Sequence, residues 1–436
     1  MNEVKKAMLL KVPFGLESQE FEVSERDLLF SGSMQEVLPL KDIEKSILDQ
    51  LDHPIGCPPL KEIASGKSNI VILIEDSTRN TPLKRILPVL LSYLEGIGIR
   101  DRDISFLTAP GTHRIMTEKE IMEKVGIEVF GRYRIDQHDA TKPDTLVNLG
   151  YVDAGGYSIP VHVNRKALEA DLLIGLGDIV PHSDAGYSGG AKIVQPGVCG
   201  FATTAATHVS AALLSDIPLG LMENPCRAGM EKVAGKVGLS YILNTVKNMD
   251  GDIVGLFGGD FVEAHRRGAS LAREVYKVDI PERADIVVVS SSPCDIDYWQ
   301  AEKGLIAAYF AVKQGGVIIF AAPCTEGLSH NHPRFREWLA LPLSEALERV
   351  RKENPENVQA DLVAAVLAIC NARIRERAKI LSVTEGLTVE DIRVLGYEPY
   401  PTIRSALGKA IQMFPRGSIG ILPKGGVSLP LIGAKG

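Results

Sequence analysis

Six short runs of mostly Val, Ile and Leu are the feature that most constrains the fold of this chain. Segments with helical periodicity separate these runs along the 436-residue sequence. Near-continuous apolar runs of this length are typical of strands buried on both faces of a parallel sheet. The alternation of strands and helices therefore predicts an α/β architecture. The predicted strands are 69–75, 103–108, 171–176, 285–290, 316–321 and 418–422.

The predicted helices suggest where the chain divides. A chain of this length is expected to form two or three domains. The polar segment 276–284 contains a proline and precedes a new strand, so it is the predicted hinge. We expect one α/β domain at 1–275 and a smaller α/β domain at 276–436, with a tail beyond 423–426 that can pack back on the first domain. The predicted helices are 83–96, 117–125, 204–214, 261–276, 300–312, 334–351 and 360–371.

Composition excludes several classes of function. The net charge is −7 and the sequence has no long basic run, so a nucleic-acid partner is not expected. Six scattered cysteines without a C-x-x-C pair indicate reduced thiols. No run approaches the roughly 18 apolar residues of a membrane span, and no secretory signal pattern is present. We therefore expect a cytoplasmic protein with no membrane partner.

Polar residues follow the first two predicted strands. Asp76 and Arg79 come directly after one strand, and the Arg79 guanidinium is suited to a carboxylate or phosphate that Asp76 helps to orient. His113 lies in a glycine turn after the next strand, a suitable place for an acid/base group. Structural alternatives are open for both stretches. The first is equally a turn with Thr81 as helix cap and Pro82 in the first helical position, and His113 is equally a loop histidine bonded to backbone.

The densest polar stretch follows the third predicted strand. It contains His182 and then a glycine-rich loop whose amides could hold a phosphate at Ser188, Gly189 and Gly190. Lys192 follows the loop as a point charge or a nucleophilic amine. His208 lies on the next predicted helix and can ligate a metal, although a lone helical histidine is more often structural.

A fourth polar stretch lies in the C-terminal half. Gln300 and Lys303 are three residues apart at a predicted helix start, so they share a face. Trp299 precedes them and is one of two tryptophans in the chain. The alternative is a capped amphipathic helix with a solvated lysine.

Taken together, these motifs resemble the lactate racemase family along nearly the whole chain. His182 lies ten residues before Lys192, and Lys192 lies sixteen before His208, as in that family. The resemblance rests on Asp76-x-x-Arg79, Gly111-Thr112-His113-Arg114, His182, Tyr187-Ser188-Gly189-Gly190-Ala191-Lys192, Pro196-Gly197, His208, the Gln300/Lys303 stretch and the 423–426 loop.

The resemblance implies a racemase or epimerase that inverts C2 of a 2-hydroxy acid by reversible hydride transfer to a nickel-pincer nucleotide. It makes 1–275 the cofactor-binding domain and places the active site in the cleft between the two domains. Maturation enzymes are implied as partners that supply the nucleotide. The implied roles are covalent attachment for Lys192, a nickel ligand for His208, acid/base catalysis for His113 and His182, and substrate binding for Asp76, Arg79, Trp299, Gln300 and Lys303, while Ser188, Gly189 and Gly190 lie near the cofactor phosphate.

One position departs from the family pattern and leaves the substrate open. Trp299 stands where lactate racemases have tyrosine, and indole is larger than phenol and only donates hydrogen bonds. The family also acts on malate-like, hydroxyglutarate-like and sugar-acid substrates, so the resemblance implies the chemistry more firmly than lactate itself. Two other functions stay open from the residues. One is a pyridoxal-phosphate enzyme with Lys192 as its Schiff-base lysine, and the other is a non-catalytic nickel- or cofactor-binding protein.

Overall fold

The strands of the protein form two main parallel sheets, which confirms the predicted α/β class. A computed structural model describes residues 7–32 and 34–433. The strands are β1 Ala7–Phe14, β2 Glu17–Ser24, β3 Leu28–Ser31, β4 Ile70–Ile74, β5 Ile104–Thr108, β6 Arg134–Gln137, β7 Leu146–Ala154, β8 Tyr157–Asn164, β9 Leu172–Asp178, β10 Pro181–His182, β11 Gly186–Tyr187, β12 Leu239–Lys247, β13 Ile253–Gly259, β14 Lys277–Ile280, β15 Ala284–Ser290, β16 Val312–Ala321, β17 Ala378–Val383, β18 Glu398–Pro399, β19 Ile419–Leu422 and β20 Leu429–Ile432.

Helices follow most of the sheet strands and pack their apolar faces on them. Within the described residues, no helix has both the length and the apolar character needed to cross a membrane. The α-helices are α1 Ile43–Asp52, α2 Leu60–Ile63, α3 Leu83–Gly96, α4 Glu118–Val125, α5 Ile127–Arg132, α6 Arg165–Leu168, α7 Phe201–Ala212, α8 Pro225–Val237, α9 Glu263–Tyr276, α10 Tyr298–Ala311, α11 Phe335–Leu339, α12 Leu343–Lys352, α13 Leu362–Arg377, α14 Val389–Leu395 and α15 Ile403–Met413.

The chain divides into two compact units. The central unit contains Glu36–Val275 and Glu353–Val363. The terminal unit contains the described residues of Met1–Gln35 together with Tyr276–Lys352 and Ala364–Gly436.

This division differs from the expected one at both ends of the chain. The first strands belong with the C-terminal part, because Val12 and Phe21 join an apolar core with Ile286 and β3 pairs with β19. The tail also stays in the terminal unit, because β20 pairs in parallel with β14. The described tail residues are thus grouped with the terminal unit, whereas the sequence left open that they pack back on the first domain.

The central unit is built on a six-stranded sheet in the order β13-β12-β9-β4-β5-β6. All pairs are parallel except β12 with β13, which is antiparallel. The chain adds β5 and β6 on one side of β4 and then crosses to place β9 on the other side. The sheet therefore has a topological switch point between β4 and β9, where α/β proteins bind ligands beyond the carboxyl ends of the strands.

The terminal unit repeats this plan. Its sheet has the order β18-β17-β16-β15-β19-β3, and its pairs are parallel. Here the order reverses between β15 and β19. The segment 291–297 follows β15, and the glycine-rich 423–426 loop follows β19. Both therefore emerge at the switch point of this sheet.

Two predicted helix boundaries need correction. The predicted helix 334–351 is broken into α11 and α12, because Pro342 lies between them and cannot donate a helical hydrogen bond. Thr81 is not the cap of α3, whose N-terminal cap position is Pro82. The Thr81 hydroxyl instead donates to the buried Glu75 carboxylate. Thr117 and Glu120 form a capping box at the start of α4, which agrees with the predicted helix start at 117.

Candidate functional site

Three of the polar stretches identified in the sequence meet at one edge of the central sheet. Asp76 follows β4, His113 follows β5, and the stretch from Ile179 to Lys192 follows β9. Because β5, β4 and β9 are adjacent and parallel, their carboxyl ends lie side by side. The switch point lies among them, so the fold itself collects these residues.

Asp76 and His113 form a hydrogen-bonded pair at this edge. His113 Nδ1 lies 2.7 Å from Asp76 Oδ2, and the Thr78 hydroxyl donates to Asp76 Oδ1 at 2.6 Å. Burial disfavours the Asp76 charge, but His113 and Arg79 outweigh it and hold the Asp76 pKa below its usual range. Burial lowers the pKa of His113, with Asp76 opposing the shift. A carboxylate partner places the proton of the neutral ring on Nδ1 and the lone pair on Nε2, as in the histidines of general bases.

His182 has the opposite arrangement of its ring nitrogens. The side chain is buried, and its Nδ1 accepts from the backbone N–H of Asp184 at 3.1 Å. An accepting Nδ1 places the proton of the neutral ring on Nε2. The Asp184 carboxylate lies 3.7 Å from the same Nδ1 and could accept a proton from it.

His208 lies on α7 with one ring nitrogen already bound. Its Nδ1 lies 2.8 Å from the Thr204 carbonyl oxygen, which can only accept, so Nδ1 carries the proton. Burial lowers the His208 pKa, Asp184 opposes the shift, and Lys192 and His113 add to it. A neutral ring protonated at Nδ1 has its lone pair on Nε2, which is the form that binds metals.

Lys192 lies close enough to His113 and His208 for its charge to affect both. Its charge contributes to lowering the pKa of His113 and of His208, after burial. The residue lies in a 3₁₀ turn, Gly190–Ile193. Its first residue, Gly190, and the preceding Gly189 both have positive φ, 60° and 74° respectively. A side chain at Gly190 would overlap the His265 ring, since its Cβ would lie 2.8 Å from Cγ. Glycine is therefore required for close packing at this position.

Several polar groups of the glycine-rich loop have hydrogen-bond partners inside the protein. The Ser188 hydroxyl donates to the Asp178 carbonyl at 2.6 Å and accepts from the Val180 N–H at 2.9 Å. The Ser188 amide donates to the Val180 carbonyl, and the Gly190 amide donates to Asn244 Oδ1 at 2.7 Å. The Ser188 hydroxyl and the Ser188 and Gly190 amides thus have partners inside the protein, and the expectation that Ser188, Gly189 and Gly190 lie near a cofactor phosphate stays a prediction.

Arg79 lines a pocket together with Ser77 and Asn80, which follow Asp76 in the chain. The pocket has a volume of about 470 Å³ and is also lined by Lys124 and by the first residues of α3. Arg79 Nη1 donates to the Thr78 hydroxyl at 2.8 Å. Two lysines that the sequence analysis did not identify bind the backbone next to this pocket. Lys124 donates to the Arg79 carbonyl at 2.8 Å, and Lys247 donates to the Asn80 carbonyl at 2.6 Å. Both contacts join distant segments, so no local sequence pattern could have revealed them.

The remaining predicted residues lie at the start of α10 in the terminal unit. Asp297 caps the helix by accepting from the Gln300 amide at 2.8 Å. Lys303 Nζ donates to Gln300 Oε1 at 2.6 Å, as their shared face predicts. The Trp299 ring stacks on His332 with a centroid separation of 3.9 Å and an interplanar angle of 6°. No sequence pattern had identified His332 as a neighbour of Trp299.

Comparison with known proteins places this fold and these residues in a class. The model of the lactate racemase N-terminal domain matches residues 14–216, and that of the lactate racemase C-terminal domain matches 280–429. A lactate racemase of Thermoanaerobacterium thermosaccharolyticum is 30% identical over 433 residues, which cover 95% of this chain and 97% of the relative. A lactate racemase of Lactiplantibacillus plantarum is 36% identical over 288 residues, covering 65% of this chain and 67% of the relative.

Solved structures agree with the sequence relatives. The lactate racemase apoprotein of T. thermosaccharolyticum superposes with a TM-score of 0.85 at 28% identity, covering 97% of this chain and all of the other. A Thermotoga maritima protein shares the fold, with a TM-score of 0.70 at 21% identity, covering 91% of this chain and all of the other. The relatives and the shared α/β fold thus identify a racemase, an enzyme of the isomerase class. The chain belongs to the lactate racemase family.

Proposed function

We propose that this enzyme inverts the C2 stereocentre of a 2-hydroxy acid with the help of a nickel-pincer nucleotide. The observation that carries the proposal is the convergence of His113, His182, Lys192 and His208 at one switch point in a member of the lactate racemase family. Lactate is the first substrate to test, since the relatives carry that name. Larger acids such as malate, hydroxyglutarate or a sugar acid are the next.

The donor groups at the site suit this nucleotide. His208 offers a neutral Nε2 for a late first-row divalent metal, and Lys192 offers an amine for covalent attachment. When bound, the nucleotide supplies the hydride acceptor. We expect separate maturation enzymes to provide it in the cytoplasm.

The histidines are proposed to handle the protons of the substrate. With Nδ1 donating to Asp76, Nε2 of His113 can accept the proton of the C2 hydroxyl group, and the resulting imidazolium is stabilised by the carboxylate. His182 presents N–H at Nε2 and can donate to the substrate oxygen from its own side. For the opposite enantiomer the roles exchange, and Asp184 is then the partner for a protonated Nδ1 of His182. A positioned acid/base group typically contributes about 10²- to 10⁴-fold in rate.

Cationic groups are proposed to hold the substrate. Arg79 is assigned the carboxylate, because its planar guanidinium can bind both oxygens and its backbone is fixed by Lys124. Lys303, oriented by Gln300, is assigned the carboxylate or hydroxyl group, and Trp299 the third substituent.

The decisive experiment measures cofactor loading and racemase activity on the same protein sample. The protein is co-expressed with a pincer-nucleotide biosynthesis system, and its intact mass, nickel content and activity on chiral 2-hydroxy acids are measured. We expect an adduct that maps to Lys192, about one nickel per chain, and racemisation. Lys192→Ala should lose the adduct, His208→Ala should lose nickel, and the exposed Lys236→Ala should retain both.

Other outcomes would favour the alternatives. An adduct and nickel without any change at a stereocentre would indicate a binding protein. Borohydride trapping of a pyridoxyl group on Lys192 would indicate a pyridoxal-phosphate enzyme. Full racemase activity in Lys192→Ala or His208→Ala would refute the proposal.

A further inference from the structure

A buried arginine grips the loop that leads to Lys192. Arg227 lies in the first turn of α8 and is 1% exposed. Its Nε donates to the Ala185 carbonyl at 3.2 Å, its Nη1 to the Gly189 carbonyl at 3.1 Å, and its Nη2 to the Tyr187 carbonyl. One guanidinium thus binds three alternate carbonyls of a single extended segment, which we call the 185–190 loop.

A second buried side chain completes the grip. His265 is 1% exposed, and its Nε2 lies 2.9 Å from the Ser188 carbonyl oxygen. Burial holds the His265 pKa well below its ordinary value, so the ring is neutral and donates from Nε2. The four carbonyls of residues 185, 187, 188 and 189 therefore all accept from two side chains of distant helices.

The buried Arg227 charge has a free-energy cost that its hydrogen bonds to the loop must offset. Burying a charge is costly unless hydrogen bonds compensate it. Burial lowers the Arg227 pKa to about 10, with Glu231 opposing the shift, so the residue stays charged at neutral pH. The loop contains three glycines with positive φ, which lose more conformational entropy on ordering than other residues. The hydrogen bonds of the buried Arg227 guanidinium restrict the conformations of this glycine-rich loop.

Arg227 and the Lys192 backbone are linked through one shared hydrogen-bond acceptor. The Gly189 carbonyl accepts from Arg227 Nη1 and also from the Lys192 backbone N–H at 3.2 Å. The turn that carries Lys192 is therefore bonded to the atom that Arg227 holds.

We propose that Arg227 is a positioning residue for Lys192. It fixes the 185–190 loop so that the Lys192 amine is delivered beside His113 and His208 before any cofactor arrives. The rigid loop is thus a platform for attachment. The inference rests on the proposed function for the assignment of Lys192 as the attachment point, but the grip itself can be tested without activity.

The test uses the full-length protein before cofactor loading. Hydrogen exchange of peptides spanning 185–192 is compared for wild type, Arg227→Met and Arg227→Lys, and acetylation of Lys192 by a limiting amine reagent is mapped by peptide mass. We expect exchange at Ser188 and Gly190 to be at least tenfold faster in Arg227→Met and intermediate in Arg227→Lys. Lys192 acetylation should change in the same order. The rate of adduct formation during maturation should fall at least tenfold in Arg227→Met.

A matched control separates positioning from general stability. Met230 is fully buried on the same helix, so Met230→Ala should destabilise the fold without a selective effect on the loop. If Arg227→Met fails to fold, Arg227→Gly with added methylguanidinium is measured, and restored loop protection is expected. Exchange in the loop no faster in the Arg227 variants than in Met230→Ala, or unchanged adduct formation, would overturn the inference. Adduct formation in Lys192→Ala would instead overturn the proposed function and leave the loop measurement standing.

Discussion

Replacing Asp76 by Asn is the sharpest test of how His113 is activated. The Asp76–His113 contact is 2.7 Å long, the carboxylate is almost fully buried, and its pKa is held below the usual range by His113 and Arg79 against the effect of burial. A hydrogen bond to a charged group contributes about 1.5–3 kcal/mol. Since 1.36 kcal/mol corresponds to tenfold in rate, Asp76→Asn should lower kcat/KM by roughly 10- to 150-fold.

The pH dependence gives the same experiment an independent readout. Asp76 raises the His113 pKa against burial, so the variant should have a lower His113 pKa. A general base is active above its pKa, and the acid limb of the kcat/KM profile should therefore move to lower pH. The assay is racemisation followed by chiral chromatography between pH 5 and 9, on protein with matched nickel content.

A milder variant of the same pair serves as the control. Thr78→Val removes the hydroxyl that donates to the charged Asp76 carboxylate at Oδ1 and accepts from Arg79 Nη1, but it leaves the Asp76–His113 contact in place. We therefore expect kcat/KM to fall while the acid limb of its pH profile moves less than in Asp76→Asn. If folded and loaded Asp76→Asn retains kcat/KM within twofold of wild type, His113 does not depend on Asp76, and the base assignment loses its support.

Three further predictions test other parts of the molecule. Burial lowers the His138 pKa to about 4, below its unfolded value near 6.5. The contribution of the neutral ring to the free energy of unfolding is therefore complete above pH 6.5 and is lost as pH falls towards 4. Urea unfolding at pH 7.5 and 5 should show about 2 kcal/mol of loss that His138→Gln lacks. Ser188→Ala should reduce stability by about 1–3 kcal/mol in thermal unfolding without slowing adduct formation, whereas a phosphate ligand would slow it. His332→Ala should change Trp299 fluorescence and shift the kcat/KM ratio between a large and a small 2-hydroxy acid by about 2- to 10-fold; an unchanged ratio would remove Trp299 from the specificity argument.

Local patterns predicted the centre of each sheet well. The apolar runs at β4, β5 and β9 were recognised because strands buried on both faces need continuous apolar residues. The polar residues after them were then grouped correctly at one edge, because the carboxyl ends of adjacent parallel strands must lie together. The prediction that Gln300 and Lys303 share a face followed from helical spacing in the same way.

Long-range packing explains the errors. Nothing near Val12 or Phe21 in the sequence indicates that they pack with Ile286, so the first strands were assigned to the wrong part of the chain. The internal partners of the glycine-rich loop could not be predicted for the same reason. Asn244 binds the Gly190 amide from 54 residues away in the sequence, and Arg227 holds the carbonyls from about 40 residues away.

The two histidines proposed as acid/base groups show what residue type alone cannot specify. His113 and His182 are the same amino acid after β5 and β9, the strands on either side of β4. Nδ1 of His113 nevertheless donates to a carboxylate, whereas Nδ1 of His182 accepts from an amide. The pair therefore presents a proton acceptor and a proton donor at Nε2 when both rings are neutral. A racemase must use each base in turn, so the resting arrangement suits deprotonation by His113. The reverse use requires His182 to exchange its amide contact for the Asp184 carboxylate at 3.7 Å. The difference in roles comes from the backbone of the 182–185 turn, which forms only in the folded chain.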